Sequence, residues 1–80
     1  MEKGKVVISK AGRDKGQMFV VVNVKEDRIY ICDGKIRKLS SPKSKNIKHL
    51  QKTNMFLPID EIDNDRKLRI KIFELSQKCN

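Results

Sequence analysis

The feature that most constrains this chain is a pair of β-branched apolar runs separated by a short, basic, glycine-containing segment. Residues 6–8 read Val-Val-Ile, and residues 18–24 read Met-Phe-Val-Val-Val-Asn-Val. Between them, residues 10–16 read Lys-Ala-Gly-Arg-Asp-Lys-Gly. Two apolar runs around a Gly/Asp cluster predict a β-hairpin. The second run is too continuously apolar for a half-exposed strand, so we expect it at the centre of a sheet that is covered on both faces.

Three further short strands are predicted beyond this hairpin. Asp33-Gly34 is a strong signal for a two-residue type I′ hairpin turn, and Pro42 among lysines and serines marks a loop. The five predicted strands cover residues 5–10, 17–25, 28–32, 35–39 and 46–50. Five short strands with tight turns indicate a mainly β fold, either a strongly bent sheet or a small barrel, because closure removes exposed strand edges.

The character of the chain changes after residue 53. Residues 55–59 form an apolar connector that we expect to pack over an open end of the barrel, and an acidic stretch follows at residues 60–65. A helix is predicted over residues 66–78, with a strand as the alternative because apolar and basic residues alternate at 67–72. The helical stripe consists of Leu68, Ile72, Leu75 and Cys79. Asp63 or Asp65 is the expected N-cap, and we divide the chain into a β module (1–52) and a C-terminal segment (53–80).

The charge distribution indicates the class of partner. The 80 residues carry 19 Lys/Arg and 10 Asp/Glu, a net charge of +9, and residues 1–53 hold fourteen of these cations but only five of the anions. The whole excess therefore belongs to the β module, which favours a basic surface that attracts polyanions. A single domain of this size buries a small core and has little room for an enclosed active site.

Catalytic, metal and membrane functions are not expected. Cys32 and Cys79 have no metal or redox spacing, and Cys32 is expected to be a buried thiol. His49 is the only histidine and has no evident catalytic partner, while residues 60–65 lack the glycine that a calcium loop requires. The chain shows no signal peptide and no membrane span, so a cytoplasmic protein is expected. We predict no enzyme activity and no cofactor.

The segment 6–16, together with residues 19–24, resembles the KOW motif of ribosomal proteins and NusG-type elongation factors. With Asp33-Gly34, the basic residues 35–38 and the segment 46–50, residues 4–52 are similar to KOW-containing large-subunit ribosomal proteins of archaea and eukaryotes and their small bacterial relatives. This resemblance implies an SH3-like β-barrel that binds RNA, usually ribosomal RNA, through the loop at residues 10–16. One departure is that Met18 and Phe19 stand where many KOW motifs have another glycine.

The predicted function is non-catalytic RNA binding, of a ribosomal-protein-like kind related to translation, in which cations dock on backbone phosphates. Arg13 is the leading contact, because its planar guanidinium can hold a phosphate with two hydrogen bonds. The predicted RNA-binding residues are Lys10, Gly12, Arg13, Lys15, Gly16, Lys35, Arg37, Lys38, Lys45 and Lys48. Protection of a strand edge is the alternative role for the cations at 35–38, and a solvated loop is the alternative for those at 43–48.

Ribosomal proteins are further expected partners of the chain, and its oligomeric state stays open. The alternative function is a protein–protein adaptor associated with the translation or transcription machinery. The basic surface and the amphipathic C-terminal segment would serve as its docking surfaces. DNA binding is a third hypothesis, since counterion release alone does not distinguish the two nucleic acids.

Overall fold

The computed structural model describes residues 1–78 and shows a mainly β architecture with a helix at its C-terminal end. The described strands are β1 (Lys5–Ser9), β2 (Met18–Lys25), β3 (Arg28–Cys32), β4 (Lys43–Asn46) and β5 (Leu50–Phe56). Single 3₁₀ turns cover Ile47–His49 and Ile59–Glu61, and helix α1 covers Asp65–Lys78. The prediction of a mainly β fold with about five strands and a C-terminal helix is confirmed.

The five strands form one antiparallel sheet in the order β4-β3-β2-β1-β5. Its two edge strands, β4 and β5, are consecutive in the chain and are joined only by the turn Ile47–His49. In a flat sheet they would lie about 19 Å apart, whereas the four peptide units from Asn46 to Leu50 reach about 14 Å at most. The sheet must therefore curve. No ladder joins β4 to β5 in residues 1–78, so the sheet is open and the word barrel describes it only loosely.

Two irregularities in strand register accompany this curvature. The β2–β3 ladder skips Val22, between the pairs Val21↔Ile31 and Asn23↔Tyr30. The β1–β5 ladder is interrupted around Val6, whose carbonyl accepts a hydrogen bond of 2.7 Å from the Thr53 hydroxyl. Bulges of this kind bend a strand and increase its twist.

The core has two parts, one on each face of the sheet, and β2 contributes to both. Phe19 and Val21 face one cluster, and Val20 faces the other. The first cluster contains Val7, Phe19, Val21, Ile29, Ile31 and Leu50. The second lies under the helix and contains Val6, Val20, Cys32, Leu57, Ile62, Leu68 and Ile72. The prediction that β2 is a central strand covered on both faces is confirmed.

Helix α1 packs on the second cluster through the predicted stripe. Leu68 and Ile72 are buried and Leu75 is half-buried, while Cys79 lies outside the described residues. The strand alternative for this segment is wrong. The predicted N-cap is also wrong, because it is Asn64 whose Oδ1 accepts the N–H of Lys67, at 2.8 Å. Asn64 immediately precedes the first helical residue, which is the position from which a side chain reaches this N–H.

The predicted strand at residues 35–39 and the type I′ turn before it are wrong. A type I′ turn needs positive φ at both central residues; Gly34 has φ +77°, but the φ of Asp33 is not positive. The Asp33 carboxylate instead accepts the backbone N–H groups of Lys35 and Arg37 at 3.0 and 2.9 Å, so this segment folds into a loop. The partner of β3 is β4, with Ile31 opposite Lys43.

The predicted fifth strand at residues 46–50 is wrong as well. The Asn46 side chain accepts the N–H of Lys48 at 2.9 Å and starts the 3₁₀ turn Ile47–His49, which ends the strand before it. The last strand starts at Leu50 and continues to Phe56, so it crosses the predicted boundary at residue 52. It also takes in the first two residues of the predicted apolar connector. Leu57, further along that connector, is buried under the helix.

Candidate nucleic-acid interface

The loop at residues 10–16 connects β1 and β2, which pair in the antiparallel register Ile8↔Met18. The predicted hairpin is therefore confirmed. The Gly16 N–H donates to the Ser9 carbonyl at 2.8 Å, which closes the base of the loop. Gly12 and Gly16 have φ of +84° and +88°, in the left-handed region that residues with a side chain rarely adopt. These backbone geometries explain why the loop needs glycine at both positions.

The Asp14 carboxylate ties the loop to strand β4. Its Oδ1 accepts hydrogen bonds from the Ser9 hydroxyl at 2.7 Å and from the Lys45 ammonium at 2.6 Å. Its Oδ2 lies 3.3 Å from the Lys43 ammonium. Lys45 also donates to the Ala11 carbonyl at 2.9 Å and to the Ser9 hydroxyl. Strand β4 thus holds the loop from a position about thirty residues further along the chain.

This ion pair is largely removed from water, since the side chains of Lys45 and Asp14 are 8% and 12% exposed. Burial alone would raise the pKa of the Asp14 carboxyl, but the hydrogen bonds from both lysines and Ser9 outweigh it and hold that pKa well below its ordinary value. Asp14 is therefore ionised and its charge is compensated inside the fold. Lys45, one of the predicted RNA contacts, lies inside the protein and has a positioning role there.

The loop's remaining charged side chains face water. Lys10, Arg13 and Lys15 are exposed, and none of them has a salt-bridge partner among residues 1–78. Asp14 is the one acidic residue of the loop, and it is turned inward. The loop therefore presents positive charge without an exposed negative group of its own.

The second predicted basic segment lies in the loop after β3. Arg37 lines a concavity of about 360 Å³ together with Arg13, so the structure brings these two predicted contacts together. Lys35 lines a different groove of about 880 Å³, between the sheet and helix α1, which also includes Gly16. Lys38 and Lys48 are exposed but line neither of these depressions. Of the predicted set, Arg13 and Arg37 thus share one depression and Gly16 and Lys35 line the other, while Lys45 is buried and the remaining residues line neither.

The sequence patterns do not single out two residues of this region, Ile36 and Asp14. Ile36 lines the concavity between the arginines, together with Lys43 from the basic segment 43–48. Asp14 holds the loop through its bonds to Lys45 and Ser9. Its position as the single acidic residue in a cationic loop is a sequence signal for such a structural role. Phe19 is buried in the core and cannot stack on a base from the surface, while Tyr30 is half-buried with the Lys25 ammonium 6.0 Å from its ring centre.

The structure also places the other reactive side chains, Cys32 and His49. Burial raises the pKa of the Cys32 thiol to about 12, with further contributions from Asp65 and Asp33. His49 is exposed in the 3₁₀ turn. Within residues 1–78, no group of three or more His, Cys, Asp or Glu side chains is arranged to hold a metal ion. None of the helices described has the length and hydropathy that crossing a membrane requires.

Comparison with known proteins does not assign the chain to a family. No protein-family model matches the sequence, and no curated protein matches it significantly.

Proposed function

We propose that this protein is a non-catalytic RNA-binding module of the cytoplasm that recognises ribosomal or other structured RNA through the loop at residues 10–16. The observation that carries the proposal is the inward-facing Asp14, which fixes the loop while Arg13 and Lys15 remain exposed without ion-pair partners in residues 1–78. A fixed loop with unpaired cations suits contact with backbone phosphates. The resemblance to KOW-containing ribosomal proteins supports the choice of RNA and a role in translation.

Salt dependence of binding tests the proposal. Each phosphate contact adds about 0.9 to the slope of log K against log salt on a duplex. If electrostatic attraction vanishes near 1 M salt, two contacts are worth roughly 50-fold in affinity at 0.1 M. We therefore expect the double variant Arg13→Ala/Lys15→Ala to bind a structured ribosomal RNA fragment roughly 50-fold more weakly, with a slope reduced by about two.

A matched control distinguishes the contribution of the loop cations to RNA affinity from the effect of a lower net charge. The double variant Arg66→Ala/Lys78→Ala removes two exposed cations from helix α1 and lowers the net charge by the same amount. We expect this variant to lose much less affinity than the loop variant. Equal losses in the two variants, or wild-type binding that is independent of salt, would contradict the proposal. A DNA duplex of the same sequence, measured in parallel, tests the choice of RNA over DNA.

The groove beside helix α1 favours a second candidate function, a protein–protein adaptor of the translation or transcription machinery. Phe73 is 61% exposed and lines this groove with Ile70, while Lys35 and Arg69 supply positive charge beside them. Exposed apolar side chains flanked by cations suit an acidic protein surface, such as one on a ribosomal protein. Co-purification that resists nuclease and is lost in Phe73→Ser would favour the adaptor, whereas nuclease-sensitive co-purification favours RNA.

A further inference from the structure

The concavity between the two loops contains two arginines that have no anionic partner among residues 1–78. Arg13 comes from the loop at residues 10–16, and Arg37 comes from the loop after β3. Neither guanidinium makes a salt bridge within the described chain. Lys43 also lines the concavity, but its ammonium lies 3.3 Å from Asp14. The Asp14 carboxylate also lines the concavity and is shared by Lys43 and the buried Lys45, so one lysine charge remains in excess beside those of the two arginines.

Both loops are fixed before any ligand arrives. The first is held by Asp14 and Lys45, as described above. The second is held at Arg37 by the Asp33 carboxylate, and further along by the Leu39 N–H, which donates to Asp65 at 2.7 Å. A site on pre-ordered loops loses less conformational entropy on binding than a site on mobile ones.

The wall of the concavity is apolar at one point. Ile36, next to Arg37, is 62% exposed and lines the same depression. A charged phosphate group gains no binding energy from contact with an exposed isoleucine. A nucleobase has apolar ring faces that can pack against such a side chain. Guanidinium planes also stack on unpaired bases. The volume of about 360 Å³ lies within the range of small-ligand pockets.

We propose that this concavity receives one unpaired nucleotide of a structured RNA. The two arginines bind its phosphate or stack on its base, and Ile36 contacts the base. A fully paired helix keeps its bases stacked inside and offers only phosphates and sugars to the loop. The inference rests on the proposed function and adds a preference to it, since RNA with a bulged or looped base binds better than a uniform duplex.

Two RNA duplexes of equal length, one fully paired and one with a single bulged adenosine, test this preference by fluorescence anisotropy at fixed salt. We expect wild-type protein to bind the bulged RNA about tenfold more tightly, as base stacking contributes in other RNA-binding proteins. Ile36→Ser should reduce this preference to less than threefold, because it lowers affinity for the bulged RNA more than affinity for the paired duplex. Ile70→Ser, at an exposed isoleucine on helix α1, is the control and should keep the full preference.

The outcomes separate this inference from the proposed function. Equal, salt-dependent binding of the two RNAs would overturn the nucleotide site and leave RNA binding intact. Failure to bind either RNA would overturn both. If the preference is present but falls equally in Ile36→Ser and Ile70→Ser, the base does not occupy this concavity and the inference is overturned. Thermal denaturation confirms that both variants are folded.

Discussion

The buried pair of Lys45 and Asp14 predicts a large effect of one substitution. Lys45→Met keeps most of the side-chain volume but leaves the Asp14 carboxylate without its closest cation. Removing one partner of a buried pair typically costs about 3–5 kcal/mol. Here Lys43 remains 3.3 Å from Asp14, and the carboxylate keeps slight access to water. We therefore expect a loss of about 2–3 kcal/mol in the free energy of unfolding, below or at the lower end of that range.

Thermal and urea denaturation at pH 7 measure this loss. For a domain of this size, about 1 kcal/mol shifts Tm by roughly 4–8 °C, so Lys45→Met should lower Tm by about 10–20 °C. Lys48→Met, at an exposed lysine three residues further on, is the matched control and should stay within about 0.5 kcal/mol of wild type. A double-mutant cycle with Asp14→Asn isolates the pair, for which we expect a coupling of about 2 kcal/mol.

The pH dependence supplies an independent readout of the same pair. The pKa of Asp14 is lowered by folding, so its ionised form stabilises the native state above the ordinary aspartate pKa near 4. This contribution is lost as pH falls below that value towards the lower pKa of the folded state. Wild-type protein should therefore lose more stability than Asp14→Asn between about pH 5 and pH 2.

A Tm for Lys45→Met within 3 °C of wild type at pH 7 would refute this account of how the loop is held.

Three further predictions concern single positions. Gly34→Ala should destabilise by more than about 2 kcal/mol, because a Cβ there would overlap the backbone carbonyl of Asp65 at the start of helix α1. Gly16→Ala has similar positive φ but open space around it, so calorimetry should show a smaller loss of about 1 kcal/mol. In a Cys79→Ser background, Cys32 should react with a thiol reagent at pH 8 only after unfolding, because the thiol is fully buried and its pKa is raised to about 12. Rapid reaction of the native protein would contradict this prediction. Glu26→Asn should raise stability by about 0.5 kcal/mol relative to Glu26→Gln, since residue 26 has φ +53° and asparagine tolerates that conformation better; equal melting temperatures would contradict this.

The parts of the fold that depend on apolar pattern could be predicted from the sequence. The β1–β2 hairpin, the doubly covered strand β2 and the buried stripe of helix α1 each follow from the spacing of large apolar residues. Strand β4 could not be found in this way, because Lys43–Asn46 contains no apolar residue and forms a strand only through its ladder with β3. The loop after β3 depends on the Asp33 carboxylate, a contact that competes with strand pairing and leaves no periodic signal.

The sequence predicts only part of the candidate nucleic-acid interface. The cations of loop 10–16 are exposed, as their position between two strands of a hairpin suggests. The sequence predicts Lys45 as an RNA contact, because nothing in its sequence neighbours shows that it reaches Asp14, thirty-one positions earlier. The proximity of Arg13 and Arg37 also depends on the loop after β3, in which the Asp33 carboxylate holds the Arg37 N–H and which no apolar pattern predicts. Tertiary contacts between distant residues account for each of these differences.

The link between Lys45 and the loop has a consequence for anyone who wishes to transplant that loop. Copying residues 10–16 onto another hairpin would carry Arg13 and Lys15 but leave their anchor behind, since Lys45 and Lys43 belong to an edge strand elsewhere in the chain. The graft would then contain an aspartate without the two lysines that bind it in this protein. A graft that keeps the loop conformation needs a neighbouring strand with a lysine that reaches the loop's interior. The segment to transfer is therefore the loop together with strand β4.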